Sequence, residues 1–122
     1  LVRIDAASID THHAKRDEHL RSADFFDVAR FPDITFRTKT VDGNQVIADL
    51  TLHGVTREVR LHYSFHGIAR DPQGRERAGF SAVTFIDRKD FGITYNRVLD
   101  QGGMLIGDRV DIEIEVEAVL KA

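Results

Sequence analysis

The sequence predicts an all-β domain, an antiparallel sheet that curls or closes on itself, with one short helical segment near the N-terminus. Three observations predict it. Apolar and polar residues alternate with period two over most of the chain, turn signals containing Gly separate the alternating runs at hairpin spacing, and helix-forming residues are confined to one early stretch. At 122 residues the chain has the length of one domain, so residues 1–122 are read as a single unit with one core.

The helical stretch comes first. Thr11 to Arg21 holds Ala14, Lys15, Arg16, Glu18 and Leu20 without Gly or Pro, and Asp17 with Arg21 is a favourable i,i+4 pair. Asp10 or Thr11 is the expected N-cap. A turn-like piece, Ser22 to Val28, follows and is ended by Pro32, which leaves Phe25, Phe26 and Phe31 in need of something to dock on.

Beyond Pro32 the period is two. Ile34 and Phe36 alternate with Thr35 and Arg37; Val46, Ala48, Leu50 and Leu52 alternate with Asp49, Thr51 and His53; Asp42-Gly43-Asn44 between them reads as a hairpin turn. Val59, Leu61, Tyr63 and Phe65 form the apolar row of the next strand, which runs into the turn Arg70-Asp71-Pro72-Gln73-Gly74. Phe80, Ala82, Thr84 and Ile86 follow. In the last strand Val110, Ile112, Ile114, Val116, Ala118 and Leu120 face one way, and Asp111, Glu113, Glu115 and Glu117 the other. A flat sheet of about six such strands would leave its apolar face wet and its edges bare, so a second sheet or curling toward a barrel is expected.

Composition closes off much chemistry. The absence of Cys excludes disulfides, zinc-thiolate sites, iron–sulfur clusters and thiol catalysis, and it suits reducing and oxidising compartments alike. With 17 basic and 20 acidic residues and a formal charge of −3, the chain lacks the cationic surface that a phosphate backbone requires, so nucleic acid is not an expected partner. His62 and His66 lie four residues apart on a strand, about 13 Å, too far to share one ion. No His-Glu-x-x-His set occurs, and no metal site is expected. Ser8, Ser22, Ser64 and Ser81 lack a nucleophile-elbow context, and Glu113, Glu115 and Glu117 have the spacing of a solvated strand face, so no catalytic residue is assigned.

The wording of the chain resembles the YceI-like, or polyisoprenoid-binding, family of bacterial lipid-binding proteins. The matching stretches run in order: residues 16–26, RDEHLRSADFF, followed by FPDITF at 31–36; LTLHGVTREV at 50–59; RKDFGI at 88–93; and IGDRV at 106–110. The resemblance implies an eight-stranded, antiparallel, lipocalin-like β-barrel that holds a long isoprenoid or similar amphiphile and carries it without catalysis. Relatives carry further strands before Ser8-Ile9-Asp10-Thr11, with a Trp-containing start. The chain begins Leu1-Val2-Arg3-Ile4, as if partway into a longer protein, so a barrel incomplete at its N-terminus is expected.

The inward rows supply the candidate lipid-binding residues: Phe36; Leu50 and Leu52; Val59, Leu61, Tyr63 and Phe65; Phe80; Ile112, Ile114 and Val116. Phe25 and Phe26 join them if the Arg16-to-Phe26 stretch covers one end of the barrel, as a gate or as a fixed plug. These residues can equally fill a solid core. A head group is expected at the mouth, near Arg88, Lys89, Arg97 or the Gly102-Gly103 amides. No cofactor is expected beyond a bound polyprenyl-type lipid; the expected partners are that amphiphile and, through an open sheet edge, a second copy of the chain. Two other readings share this pattern: a small enzyme acting on a hydrophobic substrate in the same cavity, and an interaction module with a filled core.

Overall fold

A computed structural model describes residues 1–97, 103 and 105–119. Six antiparallel strands form one sheet in sequence order: β1 (Val2–Asp5), β2 (Asp33–Asp42), β3 (Gln45–Leu52), β4 (Val55–Arg70), β5 (Glu76–Asp87) and β6 (Arg109–Val119). Every strand pairs with its neighbours in sequence, as short hairpins permit. The sheet curls into a half-barrel whose edges, β1 and β6, are not paired with each other. The expected fold class holds, and the sheet stays open.

Turn chemistry sets the registers. Gly43-Asn44 joins β2 to β3, and Asp42 pairs with Gln45 across it. His53 and Gly54 both take positive φ, 55° and 72°, the two-residue turn whose twist matches that of the flanking strands. Bulge-like register shifts occur between Thr38 and Thr40 in β2 and between Phe65 and Gly67 in β4, where extra twist bends the sheet.

β4 and β5 pair only from His62/Val83 to Arg70/Glu76. Below that point the strands part. Across the fissure Thr84 Oγ1 donates to Arg60 O at 2.8 Å and Arg57 Nε donates to Asp90 O at 3.2 Å.

The helix α1 (Ala14–Arg21) is shorter than the sequence suggests, and its N-cap is His13, not Asp10 or Thr11. His13 Nδ1 accepts from Arg16 N at 3.2 Å. Thr11 is engaged elsewhere, because its N–H and hydroxyl both donate to Oδ1 of the buried Asp17. Arg16 and Arg21 bond the carbonyls of Thr11, Ala7 and Ile9, which ties the helix to the segment after β1. α1 and the Phe25-Phe26 turn thereby lie over one end of the concave face, where Phe25 and Leu20 join the core around Leu50, Phe91 and Ile93.

Candidate functional site

Apolar residues of all six strands meet on the concave side, so the half-barrel forms a trough. At its α1 end is a compartment of about 420 Å³, lined by Ile4, Leu20, Phe25, Phe26, Ile34, Phe36, Leu50, Leu52, Ile86, Ile93, Ile106, Val110 and Ile112, together with Arg88, Gly107 and Arg109. Phe36 separates it from a second compartment of about 260 Å³ toward the other end, where Val2, Val46, Ala48, Leu61, Tyr63, Phe80, Ala82, Ile114 and Val116 meet Thr38, Val41 and Ser81. Volumes of this order fall within or just below those of small-molecule sites. The concave face is hollow, not filled by its own side chains.

The trough brings together eleven of the thirteen sequence-assigned residues. Phe25, Phe26, Phe36, Leu50, Leu52 and Ile112 line the α1 end; Leu61, Tyr63, Phe80, Ile114 and Val116, with Phe36 again, line the other. Val59 lines neither compartment: it is buried, but beside the β4–β5 fissure, in contact with a different space. Phe65 also falls outside and is 52% exposed, because it sits at the register shift where β4 twists away. Its ring nonetheless continues an aromatic row, 5.3 Å from Phe80, which lies 5.7 Å from Tyr63.

The periodicity does not mark Ile93 and Ile106. They stand in loop segments, where no alternation signals which way a side chain points, and long-range packing puts them into the lining. Val2 and Ile4 do alternate, but over a strand of only four residues.

Arg88 departs from the head-group role suggested for it. It is 4% exposed, and its guanidinium donates to Gly107 O (2.9 Å), Ile93 O (2.8 Å), Tyr95 O (2.8 Å) and Ile106 O (3.5 Å), with Asp108 at 3.8 Å. These contacts engage most of its donors, so Arg88 ties Ile93 and Tyr95 to Ile106 and Gly107. Lys89 pairs with Asp108 at 3.3 Å, Arg97 is exposed, and Gly102, like Leu120, lies outside the described residues.

At the capped end Phe25, His19 and Tyr95 meet edge to face, with centroids 5.0–5.2 Å apart, and His19 Nε2 lies 2.8 Å from Asp24 Oδ2. Phe25 is thus packed against both His19 and Tyr95. The β4–β5 fissure, about 680 Å³, has a different character: Arg57, Glu58, Arg60, His62, Asp87 and Asp90 give it a mixed-charge mouth. Among the described residues no three His, Asp or Glu side chains are grouped as a metal site.

Comparison with known proteins gives this geometry its context. The YceI-like domain family matches residues 1–118. A UPF0312 protein of Vibrio cholerae is 42% identical over 99% of this chain and 62% of its own length. One of Staphylococcus aureus is 38% identical over 91% of this chain and 66% of its own. The chain therefore spans somewhat under two thirds of the Vibrio relatives. Among solved structures, the YCEI protein of Campylobacter jejuni superposes with a TM-score of 0.77 at 31% identity, covering 98% of this chain and 71% of that one. The fold also matches BcnA of Burkholderia cenocepacia, with a TM-score of 0.65 at 24% identity.

Proposed function

We propose that this chain, which belongs to the YceI-like domain family, binds the apolar tail of a long-chain isoprenoid or related amphiphilic lipid in its concave trough and carries it without chemical change. The family and its solved members make this a fold suited to hydrophobic ligands; the choice of lipid and the carrier role are the further step. One observation supports it above the others: two adjacent compartments, parted by Phe36 and lined almost wholly by aliphatic and aromatic side chains, with the buried Arg88 of the first bonded to four backbone carbonyls.

Each methylene moved from water into such a lining gains roughly 0.8 kcal/mol. Ordering of the tail and lost translational freedom offset part of that gain, so chain length and fit set the affinity together. The two compartments lie end to end on either side of Phe36, which suits a linear tail better than a compact substrate. Its lining does hold one hydroxyl beside an imidazole, Ser81 Oγ 2.8 Å from His66 Nε2, but among the described residues no carboxylate is paired with His66 to orient it as a base. That favours carriage over the enzyme reading. The hollow favours it over a module with a filled core.

Organic extraction of natively purified protein followed by mass spectrometry tests the proposal. A stoichiometric long-chain lipid supports the carrier. A protein that emerges empty and binds no added polyprenyl amphiphile overturns it, and so does conversion of an added amphiphile into a processed product.

A further inference from the structure

We infer that the convex face around Phe85 binds a second copy of this chain, back to back, about a two-fold axis that runs along β5. Side-chain parity fixes what this face presents. Leu61, Ala82, Ile86 and Ile112 turn into the trough, so Arg60 and His62 of β4, Val83 and Phe85 of β5, and Asp111 and Glu113 of β6 turn out. Phe85 is 61% exposed and Val83 44%, an apolar centre in an outward row, with the Arg109 guanidinium 4.2 Å over the Phe85 ring. The face is the outer side of three adjoining strands. Strands added beyond β1 or β6 would lengthen the sheet and leave this face turned outward.

The charges on the two sides of that centre run in opposite order. Val83 pairs with His62 on one side and Glu113 on the other. Phe85 pairs with Asp111 and, across the fissure, stands level with Arg60, whose carbonyl accepts from Thr84 Oγ1. Next outward in line come Glu58 on β4 and Arg109 on β6. β4 thus reads acid, base, imidazole where β6 reads base, acid, acid. A two-fold axis along β5 lays β4 of one copy over β6 of the other. It brings Glu58 to Arg109, Arg60 to Asp111 and His62 to Glu113, each contact made twice, while Phe85 and Val83 meet their own images. Stacked sheets lie about 10 Å apart, a gap that long side chains reaching from both faces span.

These charges are open to such a contact. Asp111 pairs with Arg109 at 2.9 Å, and among the described residues Glu58, Arg60 and Glu113 have no ion pair within the chain. Asp87, beyond Phe85, meets its own image at the end of the contact, where the twist of the two sheets separates them. The other two-fold that stacks the faces, across the strands, would set β6 on β6 with carboxylate against carboxylate. Charge therefore selects the axis along β5. The contact lies on the opposite side of the sheet from the trough, so it does not depend on what fills the trough.

Sedimentation equilibrium of the 122-residue chain over a concentration series tests the proposal. A reversible dimer is expected, a weak one because two convex faces touch over less than a standard interface. Arg60→Glu and Asp111→Lys should each weaken it by about tenfold or more, since each sets like charges together twice. An equimolar mixture of these two variants should dimerise again, because each supplies the charge that the other has lost. Phe85→Ser should weaken the dimer with no change of charge. All three positions are exposed, and unchanged urea midpoints will separate a lost contact from a lost fold. A chain that stays monomeric at every concentration overturns the proposal, and so does a mixture that fails to dimerise. Dimers indifferent to all three substitutions would overturn it in favour of pairing through a sheet edge.

Discussion

A Cβ added to Gly54 would sit 2.5 Å from Cε1 of Phe31, at a φ of 72° that disfavours any side chain. Gly54→Ala is therefore expected to destabilise the fold by about 1–2 kcal/mol, read as a lower urea midpoint at unchanged slope. Gly54 announces itself in the sequence as the turn of Leu52-His53-Gly54-Val55; Asp17 does not. In a run of helix-forming charged residues Asp17 looks solvated, yet it is buried, and the hydrogen bond from the Thr11 hydroxyl holds its carboxyl below the usual range. Burial opposes that shift, while the Thr11 N–H and the charges of Arg21 and Arg16 reinforce it. A carboxyl depressed in the folded state contributes stability at pH values above its unfolded pKa, about 3.9, and loses it as pH falls through the folded value. The stability gap between the wild type and Asp17→Asn should accordingly be constant from neutral pH down to about pH 4 and shrink below it. Urea titrations at pH 7, 5, 3 and 2 measure this, and a gap that widens in acid would contradict it. Arg88 is a second residue that the sequence hides. Arg-Lys-Asp-Phe reads as surface, and the convergence of the Ile93, Tyr95, Ile106 and Gly107 carbonyls makes its burial favourable.

Alternation makes β2 to β6 legible because each gathers apolar residues on one face, and a slip of one residue would invert the whole row. It leaves β1 unread, since Val2 to Asp5 is too short for a period to stand out, and it places the start of α1 too early because Thr11 serves Asp17 instead of capping. Parity also says which residues share a face without saying how deep each lies. Leu50 and Phe65 occupy inward rows alike, but Leu50 is 1% exposed and Phe65 is 52% exposed. Leu50→Ala is thus expected to cost about 3 kcal/mol of stability and Phe65→Ala about 1 kcal/mol or less. If the aromatic row guides the tail out of the trough, Phe65→Ala should still weaken binding of a polyprenyl amphiphile several-fold in a fluorescence titration. The α1 cap separates in the same way. Phe25 is wedged between His19 and Tyr95, so Phe25→Ala should lower stability by roughly 3 kcal/mol. Phe26, only half-buried against the core, should cost roughly 1 kcal/mol on truncation. A gate would instead show faster lipid exchange than loss of stability for both residues, measured by stopped-flow transfer to acceptor vesicles.

At the scale of the whole molecule the sequence specifies an apolar face but not its curvature. How far the sheet bends depends on the register shifts at Thr38/Thr40 and Phe65/Gly67 and on the parting of β4 from β5, none of which periodicity encodes. The consequence is energetic. A single curled layer with a hollow concave face forgoes contacts that a second layer would supply, and any ligand that fills the trough restores some of them. A ligand that binds the folded chain alone stabilises it by RT ln(1 + [L]/Kd), about 2.7 kcal/mol when free ligand is a hundred times Kd. For a domain of this size that corresponds to a rise in Tm of roughly ten degrees. Differential scanning fluorimetry with a series of polyprenyl alcohols below their aggregation limits should show Tm climbing with chain length and then levelling once the tail exceeds the two compartments. A Tm indifferent to chain length would mean that the amphiphile binds through its head group, leaving the trough without a part in recognition. A rise that never levels would indicate adsorption to the exposed apolar rim at Phe65, Ile68 and Val116 in place of insertion.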